Sequence, residues 1–142
     1  MRVVLDTNIL ISACWKPGGN EARVVALAGE LTFCISAPLE AEYRDVAQRK
    51  KFAKHRACLE ALIDSIVKVA HRVQSPESCT VCTDPDDNQV LDCALAANAR
   101  YVVTGNLRHF PAEWQGIRVI NARSLLELEK CRSALSGQSS KT

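Results

Sequence analysis

The sequence has few aromatic residues, little net charge and no long apolar run. Phe, Trp and Tyr make up 5% of the 142 residues, and 18 basic side chains against 16 acidic ones leave a formal net charge of +2. A charge this small does not in itself indicate a protein that binds nucleic acid. No stretch approaches the roughly 20 apolar residues of a membrane-spanning helix, and the N-terminal sequence MRVVLDTNILIS does not resemble a signal peptide. We therefore expect neither a membrane anchor nor secretion.

The chain does have enough apolar material for one hydrophobic core. Apolar residues make up 47% of the sequence, and 142 residues leave no room for a second full domain. The last residues, LSGQSSKT, are mostly small and polar, which is typical of a loose terminus. We predict a single domain at residues 1–134 and a flexible C-terminal tail at 135–142.

The seven cysteines do not suggest a disulfide framework. Their number is odd, no secretory signal accompanies them, and several have apolar neighbours, as buried free thiols do. We therefore predict reduced cysteines in a cytoplasmic protein. A CxxC motif could bind zinc or exchange disulfides, but this one has no second pair and no His at the spacing of a zinc finger. The motif consists of Cys79 and Cys82, and the other cysteines are Cys14, Cys34, Cys58, Cys93 and Cys131.

Short β-branched segments alternate with helix-forming segments along the chain. Such alternation predicts parallel strands joined by right-handed helical crossovers, so that helices cover both faces of the sheet. The predicted fold is therefore a single three-layer α/β/α domain with a central parallel sheet of four or five strands. The predicted strands are 2–5, 31–35, 67–70, 101–104 and 117–120, and the predicted helices are 21–30, 37–48, 57–66, 85–97 and one that starts at about 122.

Polar residues follow two of the predicted strands at the points where the strands end. Asp6 comes directly after RVVL, with Asn8 two residues later, and Asn106 follows YVVT, which ends at Thr104. Because the carboxyl ends of parallel strands meet at one edge of a sheet, we expect these side chains to lie close together. Taken singly, Asp and Asn at such positions are also common in turns and helix caps.

Glu42 occupies an unusual position for a carboxylate. The helix that contains it has an apolar stripe at Leu39, Tyr43 and Val46, and Glu42 falls inside this stripe. A carboxylate that points inward loses hydration at a considerable cost unless a cation or a hydrogen-bond donor compensates. We therefore expect Glu42 to have a partner. An internal salt bridge is the alternative to a metal ion, although no basic residue falls on a neighbouring buried stripe.

The segment TDPDDNQVLDCALAA concentrates acids at the start of a predicted helix. Asp84 is placed as the N-cap before Pro85, and Asp86 and Asp87 occupy the first turn, where the helix dipole favours anions by ~0.3 to 1 kcal/mol each. Apolar residues three, four and seven positions later put Asp87 on the face that packs against the sheet. Capping explains one or two of these acids, and a bound cation would offset the repulsion among them.

The candidate residues converge, since Asp6, Glu42, Asp87 and Asn106 come from four strand-to-helix junctions of one edge. Oxygen ligands of this kind suit Mg²⁺ or Mn²⁺ better than zinc. The segment YRDVAQRKKFAKHR at 43–56 holds six Lys and Arg residues against one acid and is a candidate for phosphate contacts. A solvated helix end is the alternative interpretation of this basic run.

With these residues identified, the sequence resembles the PIN-domain family, in particular the toxins of bacterial toxin-antitoxin systems. The matching segments are VVLDTNILISA, SAPLEAEYRDVAQRKKF and TDPDDNQVLDCALAANARYVVTGNLRHFP, which together cover most of residues 2–125. The resemblance implies a ribonuclease that hydrolyses RNA phosphodiester bonds with Mg²⁺ or Mn²⁺. The ion would be held by Asp6, Glu42, Asp87 and Asn106, with Asp84 as a further, outer acid.

The resemblance also implies partners and further roles. One metal ion would activate the attacking water, and a second would stabilise the leaving oxygen. Asn8, Thr104 and Arg108 are predicted to contact the substrate. Many relatives have an aspartate where this chain has Asn106, so one negative charge is missing here. A small antitoxin protein is expected to cover the acidic edge, and a homodimer is expected as well.

Two other functions can be weighed against an active nuclease. A catalytically silent PIN module that binds RNA or a protein partner is consistent with the neutral Asn106. A phosphatase of the haloacid-dehalogenase type also begins with a strand that ends in Asp, but it needs a second Asp two residues later, where this chain has Asn8. Metal-dependent cleavage that disappears on Asp6→Asn would distinguish the nuclease from the silent module.

Overall fold

The computed structural model describes residues 1–76 and 78–139, with side chains described up to residue 135. Helices cover both faces of a mostly parallel sheet, which confirms the predicted α/β class. The strands are β1 (Arg2–Leu5), β2 (Thr32–Ile35), β3 (His71–Arg72), β4 (Tyr101–Val103), β5 (Glu113–Trp114) and β6 (Ile117–Ile120). The helices are α1 (Thr7–Trp15), α2 (Asn20–Val25), α3 (Ala37–Ala47), α4 (Arg56–Val69), α5 (Pro85–Ala96) and α6 (Ala122–Ser139), with 3₁₀ helices at Lys50–His55 and Leu107–His109.

The sheet has six strands in the order β3-β2-β1-β4-β6-β5. Every strand pair is parallel except β5 with β6, which form an antiparallel hairpin at one edge. The central strands β1 and β4 consist almost entirely of buried Val and Leu or Tyr, as expected for strands covered on both faces. Their carboxyl ends therefore meet in the middle of one edge of the sheet.

Capping residues fix where three of the helices begin. Ser36 Oγ accepts a hydrogen bond from the Leu39 N–H at 3.3 Å, and Asp84 Oδ1 accepts one from the Asp86 N–H at 2.9 Å. These two caps confirm the sequence predictions for α3 and α5. Asp6 caps α1 in the same way, so an acid at the end of β1 also determines the start of the next helix.

Two predictions of secondary structure were wrong and one strand was missed. The helix predicted at 21–30 is shorter than expected, because α2 ends at Val25 and residues 26–30 form turns. Residues 67–70 are not a strand, because α4 continues through Val69 and the buried stripe of Leu59, Ile63 and Ile66 carries the helical period to that point. The strand that follows is β3, a residue later. The hairpin strand β5 was not predicted because it has only two residues, which is too short for an alternating pattern.

The predicted tail from residue 135 begins inside α6, which extends to Ser139. The helix therefore passes the predicted domain boundary, and residues 140–142 lie outside the described part of the chain. Within the described residues, no helix combines the length and apolar character needed to cross a membrane.

The prediction that all cysteines are reduced was wrong for one pair. Cys14 at the end of α1 forms a disulfide with Cys58 in α4, with their Cα atoms 6.0 Å apart. The pair could not be identified from the sequence, because the two positions are 44 residues apart and neither belongs to a recognisable cysteine motif. The disulfide joins two helices that otherwise meet through side-chain packing.

Candidate active site

A cavity of about 200 Å³ lies at the carboxyl edge of the sheet. It brings together Asp6, which follows β1, and side chains from α1, α3, the 3₁₀ helix at Lys50–His55, the start of α5 and the segment after β4, as expected for a parallel α/β fold. Its polar lining contains five acids, two amides and three bases, besides Thr7. The acids are Asp6, Glu42, Asp84, Asp86 and Asp87, the amides are Asn8 and Asn106, and the bases are Arg49, Lys51 and His109.

Asp6 is held rigidly at the base of this cavity. Its Oδ1 accepts the N–H of Thr7 at 2.8 Å, and its Oδ2 accepts the hydroxyl of Thr104 at 2.7 Å. The residue is only 8% exposed, and burial raises the pKa of its carboxyl, although the hydrogen bonds from Thr104 and Thr7 oppose that rise. The charged form of Asp6 is thus supported by donors but deprived of most of its hydration.

Thr104 connects Asp6 to the loop that follows β4. Its side-chain oxygen accepts the N–H of Asn106 at 3.0 Å and lies 3.4 Å from Asn8 Nδ2. Asn8 Oδ1 in turn accepts the N–H of Gly105 at 3.0 Å. This network fastens the loop to the start of α1. Because Thr104 is fully buried, it positions Asp6 and does not face the cavity, contrary to the predicted contact with substrate.

Glu42 projects from α3 into the cavity, and its side chain is 14% exposed. Burial, and secondly repulsion from Asp86, raise the pKa of Glu42 from 4.5 to about 7. The nearest cation is Arg49, whose Nη2 lies 3.9 Å from Glu42 but 3.2 Å from Asp45. Arg49 lies seven positions after Glu42, just past the end of α3, so the helical pattern around Glu42 does not predict this partner. The Arg49 contact is too long to compensate for the burial of Glu42.

The depth of α3 beside β1 is set by Tyr43, which follows Glu42. Tyr43 is buried, and its hydroxyl donates to the backbone carbonyl of Leu5, the last residue of β1. A buried phenol needs such an acceptor, because leaving its O–H without a partner would cost about 1 to 3 kcal/mol. This hydrogen bond places Glu42 on the same side of the sheet edge as Asp6.

Asp87 lies on the inner face of the first turn of α5, as its spacing to the apolar residues predicted. Burial comes first and repulsion from Asp6 and Asp84 second in raising its pKa from 3.8 to about 6. His109 Nδ1 lies 3.5 Å from Asp87 Oδ2 and acts in the opposite direction. The negative charge of Asp87, like that of Glu42, is therefore not fully neutralised by its surroundings.

The donor set fits a hard divalent cation. It consists of carboxylate and amide oxygens, with no thiol among the lining residues, and burial and repulsion raise the pKa values of three of the carboxylates, Asp6, Glu42 and Asp87. In the described residues, no three His, Cys, Asp or Glu side chains are already gathered tightly enough to hold an ion. Side-chain rotations toward the cavity centre would be needed for direct ligation, which the flexible arms of Glu42 and Asp87 permit.

The structure leaves some predicted residues outside the cavity. Arg108 is exposed on the 3₁₀ helix at Leu107–His109 but is not part of the lining, whereas its neighbour His109 is. Phe52 and Lys51 are part of the lining and were predicted only as members of a basic segment. The signal that could have identified Phe52 is its position as the one large apolar residue between Arg49 and Arg56.

The loop that contains the CxxC motif is held by hydrogen bonds to α5. The N–H of Cys79 donates to Asp92 at 2.9 Å, and the N–H of Cys82 donates to Asn88 at 2.7 Å, so α5 anchors the loop through two polar side chains. Burial raises the pKa of Cys82 to about 11, and nearby carboxylates act in the same direction. A thiol with so high a pKa is a poor nucleophile and a poor metal ligand at neutral pH.

Comparison with known proteins agrees with this architecture. The family model for the PIN domain matches residues 2–108. A search of curated proteins finds no match. Among solved structures, a chain of VapBC2 from Rickettsia felis, in a structure described as bound to a DNA fragment from their promoter, has a TM-score of 0.56 and 20% identity, with 85% of this chain and 98% of that chain covered.

Two further structures have the same fold. One is DNA-bound VapBC from Salmonella typhimurium, with a TM-score of 0.60, 18% identity and coverage of 86% of this chain and 98% of that chain. The other is VapBC-1 from nontypeable Haemophilus influenzae, with a TM-score of 0.58, 15% identity and coverage of 87% and 99%. Likeness at these identities concerns the fold alone. The family model, in contrast, spans most of the sequence, and the chain therefore belongs to the PIN-domain family.

Proposed function

We propose that the chain is a divalent-metal-dependent endoribonuclease and the toxin of a toxin-antitoxin pair. The observation that carries the proposal is the group of five carboxylates on one small cavity, in which burial and repulsion raise the pKa values of Glu42 and Asp87. Such a site gains most from a ligand with two positive charges. Membership of the PIN family and the fold shared with chains of VapBC complexes support the same assignment.

Asp6, Glu42 and Asp87 would hold Mg²⁺ or Mn²⁺, with Asn106 as a neutral ligand and Asp84 in an outer position. The ion would supply Lewis-acid activation of water and neutralisation of the phosphate charge. Thr104 keeps Asp6 in place, and the hydrogen bonds of Asn8 hold the loop of Asn106 against α1.

Three basic side chains of the cavity would bind the scissile phosphate. Arg49 and Lys51 project from the segment that follows α3, and His109 approaches from the loop after β4. Because Arg49 and Lys51 come from one segment of the chain and His109 from another, a phosphodiester that contacts both would be held over the carboxylates. Positioning of this kind lowers the barrier because the reacting groups are already aligned.

We further propose that a small antitoxin protein covers the acidic edge and that the chain works in the cytoplasm as a homodimer. The support is membership of the PIN family and the VapBC complexes to which chains of the same fold belong. An antitoxin segment that covers the cavity would need a basic side chain to face Asp6, Glu42 and Asp87.

The direct test incubates the purified protein with cellular RNA in Mg²⁺, Mn²⁺ or chelator and maps the new RNA ends by sequencing. We expect discrete cleavage sites that require the metal and that disappear in Asp6→Asn. Asp64→Asn is the matched control, since Asp64 is an exposed acid that pairs with Arg44 outside the cavity. RNA binding without any cleavage by the wild-type chain would instead identify a catalytically silent module.

A further inference from the structure

An exposed tryptophan lies next to the acidic cavity. Trp15, the last residue of α1, is 52% exposed. Its indole packs against Phe52 and His55, with ring centroids 6.0 and 5.7 Å away and interplanar angles of 55° and 49°. Large aromatic side chains are normally mostly buried, so an indole that is half open to solvent on a firm support is unusual for a purely structural residue.

Phe52 connects this aromatic group to the cavity. Its ring is buried and forms part of the cavity lining, and the Nζ of Lys51 lies 5.1 Å from the ring centroid. Lys51 is itself part of the lining. A continuous surface therefore runs from the carboxylates past Lys51 and Phe52 to the open face of Trp15. We call Trp15, Phe52, His55 and Lys51 the Trp15 platform.

The Trp15 platform is rigidly supported from below. The residue before Trp15, Cys14, forms the disulfide with Cys58, so the end of α1 is covalently attached to α4. The 3₁₀ helix that carries Phe52 and His55 leads directly into α4. An aromatic side chain held in this way loses little conformational freedom when a flat ligand stacks on it.

The charges around the platform are positive and largely uncompensated. In the parts of the chain that the structure describes, Lys50, Lys51 and Lys54 have no carboxylate within ion-pair distance, and Lys16 follows Trp15 directly. Cations beside an open aromatic face are the features with which proteins bind single-stranded nucleic acid, because the bases stack on the ring while the phosphates meet the cations.

Resting on the proposed function, we infer that the Trp15 platform is a stacking subsite for a base of single-stranded RNA close to the scissile phosphate. An RNA strand that extends from the cavity along this surface moves away from the carboxylates, which repel its phosphates. It approaches the lysines, which attract them. The open face of Trp15 then takes one unpaired base. Duplex RNA cannot use this subsite, because its bases are stacked on each other inside the helix.

The test measures binding without cleavage. In metal-free buffer with chelator, a fluorescein-labelled RNA strand of mixed sequence, with no self-complementarity, is titrated by anisotropy against the wild-type chain and its variants. We expect Trp15→Ala to weaken binding of the single strand by about 5- to 100-fold, which corresponds to one lost stacking contact. Trp15→Phe should retain most of the affinity. The same strand annealed to its complement should bind equally to the wild-type chain and Trp15→Ala.

Two controls make the result specific. Trp114→Phe alters the chain's other tryptophan, which lies on the edge strand β5, and should leave binding unchanged. In this Trp114→Phe background, Trp15 is the only indole, so quenching of its fluorescence by the RNA reports direct stacking. Lys51→Ala should lower the dependence of log affinity on log salt by about 0.7, whereas Trp15→Ala should leave that slope unchanged.

Two outcomes would overturn the platform. These are equal binding of the single strand by Trp15→Ala and the wild-type chain, and no binding of the single strand by either. Failure of the nuclease proposal would appear separately. If Trp15→Ala weakens RNA binding but the wild-type chain does not cut RNA in Mg²⁺ or Mn²⁺, the subsite stands and the catalytic assignment falls.

Discussion

The two ends of helix α1 lie in opposite electrostatic surroundings. At its start, Asp6 caps the helix and shares a cavity with four other carboxylates. At its end, Trp15 is followed by Lys16 and packs on Phe52 and His55, whose segment also carries Lys50, Lys51 and Lys54. These four lysines have no ion-pair partners among the described residues. A helix of nine residues is about 13 Å long, so the two regions are separated by roughly that distance.

The two ends also differ in how they are held. The Trp15 end is fixed covalently by the disulfide between Cys14 and Cys58, whereas the Asp6 end depends on hydrogen bonds from Thr7 and Thr104. Like charges at the Asp6 end oppose folding until a cation enters. The repulsion between carboxylates therefore acts at the Asp6 end of α1, whereas the disulfide stabilises the Trp15 end independently of that repulsion.

The largest expected effect is on stability, when the disulfide at the Trp15 end of α1 is removed. Cys58→Ser should lower the free energy of unfolding by about 2 to 4 kcal/mol, because the disulfide closes a loop of 44 residues in the unfolded chain. Cys58 is exposed, so the loss measures the bond and not a packing defect. The measurement is denaturant unfolding of oxidised protein, with the intact mass to verify the bond.

Cys131→Ser is the matched control for the disulfide, since Cys131 is exposed and free. It should leave stability within about 0.5 kcal/mol of the wild-type value. Reductant should bring the wild-type chain to the stability of Cys58→Ser. If reductant has no effect on the wild-type chain, the covalent bond does not secure this end of α1.

The second effect is on RNA cleavage, when a hydrogen bond at the Asp6 end of α1 is removed. Thr104→Val keeps the shape of the side chain but leaves Asp6 without its hydroxyl donor. We expect cleavage of labelled RNA to fall by about 10- to 100-fold, the usual range for residues that orient a metal ligand. The pKa of Asp6 should rise further, because a hydrogen bond that favours its charged form is lost. The acid limb of the pH–rate profile should therefore move to higher pH.

Thr104→Ser retains the hydroxyl and should preserve most of the activity and the position of the acid limb. A purely structural role for Thr104 would lower stability in Thr104→Val without moving the pH profile. Equal activity of the Val and Ser variants would show that Asp6 does not depend on this donor.

Much of the Asp6 end could be predicted from the sequence, because local rules govern it. The strand RVVL must end at a sheet edge, a proline after an acid marks a helix start, and Glu42 interrupts an apolar stripe. Each rule involves only residues within one or two turns. The parallel topology then brings Asp6, Glu42, Asp87 and Asn106 to one cavity, as the structure places them.

The Trp15 end could not be predicted in the same way, because its contacts join distant segments. The Cys14–Cys58 bond spans 44 residues, and the packing of Trp15 on Phe52 and His55 depends on where α4 docks against α1. The contact between Arg49 and Glu42 was missed for a related reason, since it depends on how the chain turns after α3. Periodicity within one helix contains no information about these distances.

The third effect is the release of repulsion inside the cavity. Glu42→Gln should stabilise the metal-free chain at pH 8 by about 1 to 2 kcal/mol, an amount already reduced for solvent screening at the cavity mouth. The reason is that the pKa of Glu42 is raised to about 7, so its ionised form is disfavoured in the folded state. Thermal unfolding in chelator measures the change, and Glu127→Gln, an exposed acid paired with Arg123, is the control.

The same repulsion predicts how stability depends on pH. The pKa values of Glu42 and Asp87 are raised in the folded state to about 7 and about 6, so the folded chain binds more protons than the unfolded chain between about pH 4 and 7. Their contribution to stability is present below about pH 4 and is lost as the pH rises through that window. Divalent metal should restore it, and more at pH 8 than at pH 5. A metal effect that does not change with pH would contradict the role of these carboxylates.

The smallest expected effect comes from supplying the charge that Asn106 lacks. Asn106→Asp adds a carboxylate to the cavity, so Mn²⁺ should bind about 3- to 10-fold more tightly, which corresponds to ~1 kcal/mol. The metal-free variant should be slightly less stable than the wild-type chain, because the new charge adds to the repulsion among Asp6, Glu42 and Asp87. Calorimetric titration with Mn²⁺ measures the first change, and thermal unfolding in chelator measures the second.

Asn121→Asp is a suitable control for this last variant. Asn121 caps α6 by accepting the Ser124 N–H at 2.8 Å, and an aspartate can accept the same hydrogen bond. The control therefore adds one negative charge outside the cavity lining without removing a structural contact. If both variants bind Mn²⁺ equally well, the difference lies in overall charge, and Asn106 is not a ligand position. If only Asn106→Asp binds Mn²⁺ more tightly than the wild-type chain, residue 106 in the loop after β4 is a ligand position of the metal site.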